Sequence, residues 1–277
     1  AAAETLFLSS DGKPLPAAER FTGGRSVGVP GALRMLELAH REHGKLRWSQ
    51  LFDAAIAKAE AGFAVSPRLA QSIRSDRYLP HFPAAKAYFF DGDGAPLAAG
   101  AILKNPALAA TLRSIASGGA DALYRGPIAD DIVRAVRSEP NPGAMTATDL
   151  VGYRPLAHPA VCGIYRLWRV CGMGPSSSGA IGTIATLKLL QRFDLASMPP
   201  LGADSVHLLA EAGKLAHADR TQYVADPAFV GVPTDALIAD DYLDLRAQMI
   251  DPARDTGTVR PGDPIRKRAD AGMPMAD

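Results

Sequence analysis

The run Gly174-Pro175-Ser176-Ser177-Ser178-Gly179 holds the residue types in this 277-residue sequence that come nearest to chemistry. Consecutive hydroxyls and glycines at the start of a helix offer free N–H groups and short polar side chains, which suit an anion or a developing oxyanion. The run has no Lys of a phosphate-binding P-loop, and it matches neither the G-x-G-x-x-G fingerprint nor the G-x-S-x-G elbow. A tight strand-to-helix turn needs the same residues. Ser176, Ser177, Ser178 and Gly179 are therefore substrate-binding candidates weighed against a scaffold role.

Other reactive side chains are scattered. His207 and Glu211 lie one helical turn apart and could share a metal, but no H-E-x-x-H or equivalent spacing accompanies them, so neither a metal nor a cofactor is expected. The segment His217-Ala218-Asp219-Arg220 reads instead as a polar, hydrogen-bonded stripe. A Ser nucleophile needs a base and an orienting carboxylate, and no motif here selects them. The two cysteines, Cys162 and Cys171, flank Arg166-Leu167 in a run of β-formers, Val161, Ile164, Tyr165, Trp168 and Val170. If Arg166-Leu167 forms the loop, Cys162 lies opposite Cys171 in a non-hydrogen-bonded pair. Two readings stay open there, a cross-strand disulfide, which implies an oxidising compartment, or two half-buried thiols.

The elements that must position these groups are mostly helical. Pro near the first turn and Gly44 beyond the last predict a helix over 30–40, and 49–61 repeats the pattern with Gly62 as its stop. Ser66-Pro67, Asn105-Pro106 and the capping box at Thr146 and Asp149 open others. Helices are expected after Gly179, over 204–224 and over 234–250. Strands are expected at 88–90, ahead of the Asp91-Gly92-Asp93-Gly94 turn, and in a hairpin over 160–172. Past Asp251-Pro252 no apolar period remains, so 251–277, with Arg266-Lys267-Arg268, reads as an extended or mobile tail after a single scaffold domain over 1–250.

Composition narrows the function classes. With 30 Lys+Arg against 29 Asp+Glu the net charge is +1, which supplies no field for a nucleic acid or an acidic membrane surface. No apolar run approaches the roughly 20 residues of a membrane span. Alanine accounts for 50 residues and aromatics for only 6%, a composition of closely approaching helices rather than of a bulky core.

The order of the segments carries more than any one of them. Ser26-Val27-Gly28-Val29-Pro30-Gly31, then Gly44-Lys45-Leu46-Arg47-Trp48, then Ala61-Gly62-Phe63-Ala64-Val65-Ser66 come first. Leu123-Tyr124-Arg125-Gly126, Asp149-Leu150-Val151-Gly152-Tyr153 and Tyr165-Arg166 follow, then Pro175 to Gly179, Ala218-Asp219-Arg220 to Tyr223, Asp226-Pro227 and Phe229-Val230. Over residues 4–235 this series resembles the central and C-terminal part of the large subunit of γ-glutamyltranspeptidases. The resemblance implies an α+β, mostly helical piece of the four-layer αββα sandwich of N-terminal nucleophile hydrolases. Such enzymes are made as one precursor that cuts itself into a large and a small subunit.

The activity implied is transfer or hydrolysis of γ-glutamyl groups, typically from glutathione, through a Thr acyl-enzyme. A Thr at a new chain terminus uses its own α-amino group as base, so no separate His is required. That Thr opens the family's small subunit, after the point where this sequence stops, and the family's substrate arginine lies upstream of Ala1. No catalytic residue is therefore carried onto this chain, which is expected to be inactive without its small subunit, with residues 251–277 leading to the cleavage point. A periplasmic or secreted location follows from the resemblance alone. Related autocleaving amidases acting on cephalosporins, oxamate or poly-γ-glutamate, and a non-catalytic scaffold of the same fold, are the alternatives. Two departures stand out: Ser178 falls within a stretch where the family carries glycine, and Leu167 replaces a hairpin-tip glycine. Both are tolerated only if the local φ is negative.

Overall fold

A computed structural model describes Ala3 and residues 5–265; the basic cluster Arg266-Lys267-Arg268 lies outside the described residues. The chain divides into two compact units, Ala1–Leu156 and Ala157–Asp277. Both are built mainly of helices, and among the described residues the strands form two separate antiparallel pairs.

The first unit contains α1 (Ala17–Phe21), α2 (Ala32–His43), α3 (Asp53–Ala61), α4 (Pro67–Ser75), α5 (Pro83–Phe89), α6 (Pro106–Gly118), α7 (Asp121–Tyr124), α8 (Pro127–Val136) and α9 (Ala147–Gly152). The pair β1 (Phe63–Ala64) and β2 (Ile102–Leu103) lies among them. Caps read from the sequence act as such. Ser66 Oγ accepts from Leu69 N–H, Asn105 Oδ1 accepts from Leu108 N–H, and Thr146 and Asp149 satisfy each other's backbone amides. Gly62 ends α3 at φ +87°, a conformation that strains any residue with a Cβ.

Two expectations for this unit need correction. The predicted strand at 88–90 is the end of α5. Pro83 at the first helical position and Ala84, Ala85 and Lys86 behind it favour a helix, and this outweighs the β-propensity of three aromatic residues. Only Phe90 bridges, to Pro96, around a turn in which the Asp91 carboxylate accepts the Asp93 and Ala95 amides. The predicted helix over 49–61 begins as a tighter 3₁₀ turn, Trp48–Phe52, before α3.

The core of this unit gathers Tyr124, Met145, Leu150, Ala120, Ala129 and Val136. Its polar lock is centred on α2. Glu37 Oε1 accepts the buried Ala120 N–H at 2.8 Å and Oε2 pairs with Arg41 at 3.0 Å. Arg34 pairs with Asp121, which holds that carboxyl below its usual range, and stacks 4.5 Å from the centroid of the Tyr124 ring. Burial in turn raises the Tyr124 phenol, whose hydroxyl donates to Pro30 O at 2.5 Å.

The second unit contains β3 (Val161–Tyr165), β4 (Trp168–Gly172), α10 (Gly179–Leu190), α11 (Ala203–Tyr223), α12 (Thr234–Leu237) and α13 (Asp240–Ala247). One face of the β3–β4 hairpin packs on α10. Gly163 permits this, because a Cβ there would sit 2.5 Å from Ile184 Cγ2. α10, α11 and α13 enclose Leu189, Leu190, Leu208, Ala212, Leu215, Leu243 and Ala247, with Ile250 beyond. Each buried leucine contributes about 2 kcal/mol relative to exposure.

The single helix expected over 234–250 is broken at Ile238-Ala239. Lys188 explains the break: its Nζ donates to Ile238 O at 2.7 Å and pairs with Asp240 at 2.7 Å, so the carbonyl that ends α12 and the first acidic residue of α13 share one cation.

Candidate functional site

The hairpin tip fixes the approach to the Ser turn. Pairing runs Tyr165↔Trp168, Ile164↔Arg169, Gly163↔Val170 and Cys162↔Cys171, so Arg166-Leu167 is the loop. Arg166 carries the left-handed φ of +54° and its N–H donates to Gln191 Oε1 at 2.8 Å. Leu167 is not at positive φ, so the side chain in place of the family's glycine is accommodated. Cys162 and Cys171 are joined by a disulfide, with a Cα separation of 4.1 Å that suits a non-hydrogen-bonded pair.

Beyond β4 the chain turns through Pro175 and Ser176, whose peptide bond is cis, into α10. Two of the three hydroxyls of this turn already have partners. Ser177 Oγ accepts the Gly179 N–H at 3.3 Å, and Ser178 Oγ accepts from Arg220 Nε of α11 at 3.2 Å. Ser178 sits at φ −91°, so its Cβ carries no left-handed strain. Ser178, Gly182 and Thr186 of α10 face Gly213, Ala216, His217 and Arg220 of α11 across an open cleft of about 200 Å³. The structure thus brings Ser178 beside Arg220 and His217, while Ser176 remains exposed.

His207 and Glu211 do not converge on a metal position; among the described residues no group of His, Cys, Asp or Glu could hold one. Their polar atoms go to a different task. From Asp251 to Ile265 the chain has no regular structure, and α11 grips its backbone. His207 Nε2 donates to Asp251 O at 2.8 Å, and Glu211 Oε2 accepts the Thr256 N–H at 3.2 Å. Lys214 bridges Glu211 and Asp255 at 2.6 and 2.5 Å. This ion pair raises the Lys214 ammonium and lowers the Asp255 carboxyl relative to their ordinary values.

Further along, Asp219 is buried and saturated. Its Oδ1 accepts from Arg246 Nη2 at 3.0 Å and from Gly262 N–H at 2.8 Å, and its Oδ2 accepts from Tyr242 Oη at 2.7 Å. Burial, and then that bond, push the Tyr242 phenol far above its ordinary value. Arg246 Nη2 also donates to Arg260 O at 3.0 Å, and Tyr223 Oη donates to Gly262 O at 2.7 Å. The expected stripe at 217–220 is thus split: Asp219 faces inward to the chain beyond α13, and Arg220 reaches the Ser turn. Tyr242 and Arg246 were not anticipated. The available signal was a carboxylate at the apolar spacing Leu208, Ala212, Leu215, Asp219, which a buried position tolerates only with partners.

Comparison with known proteins places this geometry. The γ-glutamyltranspeptidase family model matches residues 1–272. The glutathione hydrolase proenzyme of Bacillus subtilis (strain 168) is 36% identical over 259 residues, covering 94% of this chain and 44% of that protein. The acylase ACY 1 proenzyme of Pseudomonas sp. (strain SE83) is 36% identical over 234 residues, 84% of this chain and 41% of that protein. The crystal structure of Helicobacter pylori γ-glutamyltranspeptidase superposes with a TM-score of 0.86 at 31% identity, over 94% of this chain and 75% of that one. The chain spans less than half the length of the curated relatives it matches. With its α+β, mostly helical fold, the chain belongs to the γ-glutamyltranspeptidase family.

Proposed function

We propose that this chain is the large-subunit portion of a γ-glutamyltransferase or glutathione hydrolase, inactive alone and completed by a small subunit cut from the same precursor. The observation that carries the reading is the match across residues 1–272, set beside relatives named glutathione hydrolase proenzymes that are more than twice as long as the matched region. The small subunit supplies the N-terminal Thr that accepts the γ-glutamyl group, and this chain supplies a framework. The bonded state of Ser177 and Ser178 supports a scaffold role for the Ser176–Gly179 turn rather than substrate contact. A periplasmic or secreted location is part of the proposal, supported by the Cys162–Cys171 disulfide, which persists in oxidising compartments.

The similarity to an acylase proenzyme favours a second reading, an amidase for glutaryl-type amides. The two are separated by offering the full precursor glutathione and a glutaryl-cephalosporin in parallel. Release of glutamate from glutathione is expected; release of glutarate alone moves the assignment to the acylases.

A further inference from the structure

The grip of α11 on the segment after α13 is unusual in what it holds. Beside the Lys214–Asp255 ion pair, five contacts fall on main-chain groups: Asp251 O, Thr256 N–H, Arg260 O, and both the N–H and the carbonyl of Gly262. A segment without regular structure must place its backbone polar groups somewhere, and here side chains of α11 and α13 satisfy them. Because main-chain atoms are held, the register and direction of 251–262 are set mainly by α11 and α13. Val259 packs against the core from the same segment. Gly262 is the tightest point, since a Cβ there would overlap Tyr242 Oη and lie 2.9 Å from Arg246 Cδ. Asp219 bonds to both of those side chains, so neither yields freely.

We propose that α11, with Tyr242 and Arg246, is a template whose hold on 251–262 is required for cleavage of the precursor, and that Asp219 is its positioning residue. This rests on the large-subunit reading above. Cleavage adds one water across one peptide bond: the C–N bond breaks, the carbonyl side leaves as a carboxylate, and the nitrogen side takes protons to become the α-amine of the small subunit. A correctly held approach to such a reaction counts for much, because displacement of the reacting peptide by about 1 Å costs on the order of 100-fold.

The test uses the full precursor and follows its conversion to two subunits by gel, together with amide hydrogen exchange at Thr256 and Gly262. Gly262→Ala and Asp219→Asn are expected to slow conversion at least tenfold and to speed exchange at Gly262. Val136→Ala, a core change in the first unit, is expected to lower the thermal midpoint while converting at the wild-type rate. Gly262→Ala keeps every buried side chain and the Asp219 carboxylate, so it decides the matter if Asp219→Asn does not fold. Wild-type conversion in Gly262→Ala despite faster exchange overturns the template proposal and leaves the large-subunit reading standing. A folded wild-type precursor that never converts overturns both.

Discussion

Two carboxylates, half-buried Glu37 in the first unit and buried Asp219 in the second, solve the same problem for different ends. Glu37 accepts the Ala120 amide and pairs with Arg41, tying α2 to the turn before α7. Asp219 accepts the Gly262 amide while bonding Arg246 and Tyr242, tying α11 and α13 to a segment that has no secondary structure of its own. Each pulls in a distant backbone N–H that would otherwise lack an acceptor. The difference lies in redundancy. Arg34 keeps Asp121 if Glu37 is lost, whereas Arg246, with a side chain only 7% exposed, has Asp219 as its carboxylate partner. The lesson is that one type of interaction closes a scaffold in the first unit and holds an irregular segment in the second.

Substitution tests the contrast most strongly at Asp219. Asp219→Ala leaves the Arg246 charge buried and uncompensated and is expected to cost about 3–5 kcal/mol in chemical denaturation. A loss below about 1 kcal/mol would mean that water replaces the carboxylate. Glu37→Ala should cost less, about 1–3 kcal/mol, mainly from the unpaired Ala120 amide. The same experiment should leave amide exchange at Gly262 unchanged; equal losses at the two sites would erase the distinction.

The smallest effect concerns the exposed part of the template. Lys214 is raised above the ordinary lysine value of 10.5 by Asp255, so its contribution is present below that pH and is lost as pH rises through the folded value. Asp255 is lowered below 3.8 by Lys214, so its contribution is present above 3.8 and is lost as pH falls through the folded value. The thermal midpoint of Lys214→Gln relative to wild type should therefore show a small constant deficit between about pH 5 and pH 9 that closes at both extremes. A deficit that persists unchanged at the extremes assigns the effect to lost packing instead.

Much of the framework was legible because its signals are local. Ser66, Asn105 and Thr146 announce helix starts through their own amide bonds, and the hairpin register follows from one two-residue loop. The strand expected at 88–90 was lost to local helix signals at 83–86, whereas the other errors occur where a distant residue decides. Lys188 breaks the helix expected over 234–250, and nothing near Ile238 records it. The template was hidden for the same reason. Asp219 and Gly262 are 43 positions apart, and a polar run rich in Asp, Gly and Pro reads as a free tail until the helix that holds its backbone is in place. Arg220 was legible as polar, but its bond to Ser178 required the packing of α11 on α10.

The most direct measurement is glutathione hydrolysis by the 277-residue chain purified alone and by the same chain produced together with the remainder of its precursor. The account predicts no release of glutamate above buffer by the chain alone and measurable release by the pair. Steady hydrolysis by the isolated chain would contradict it.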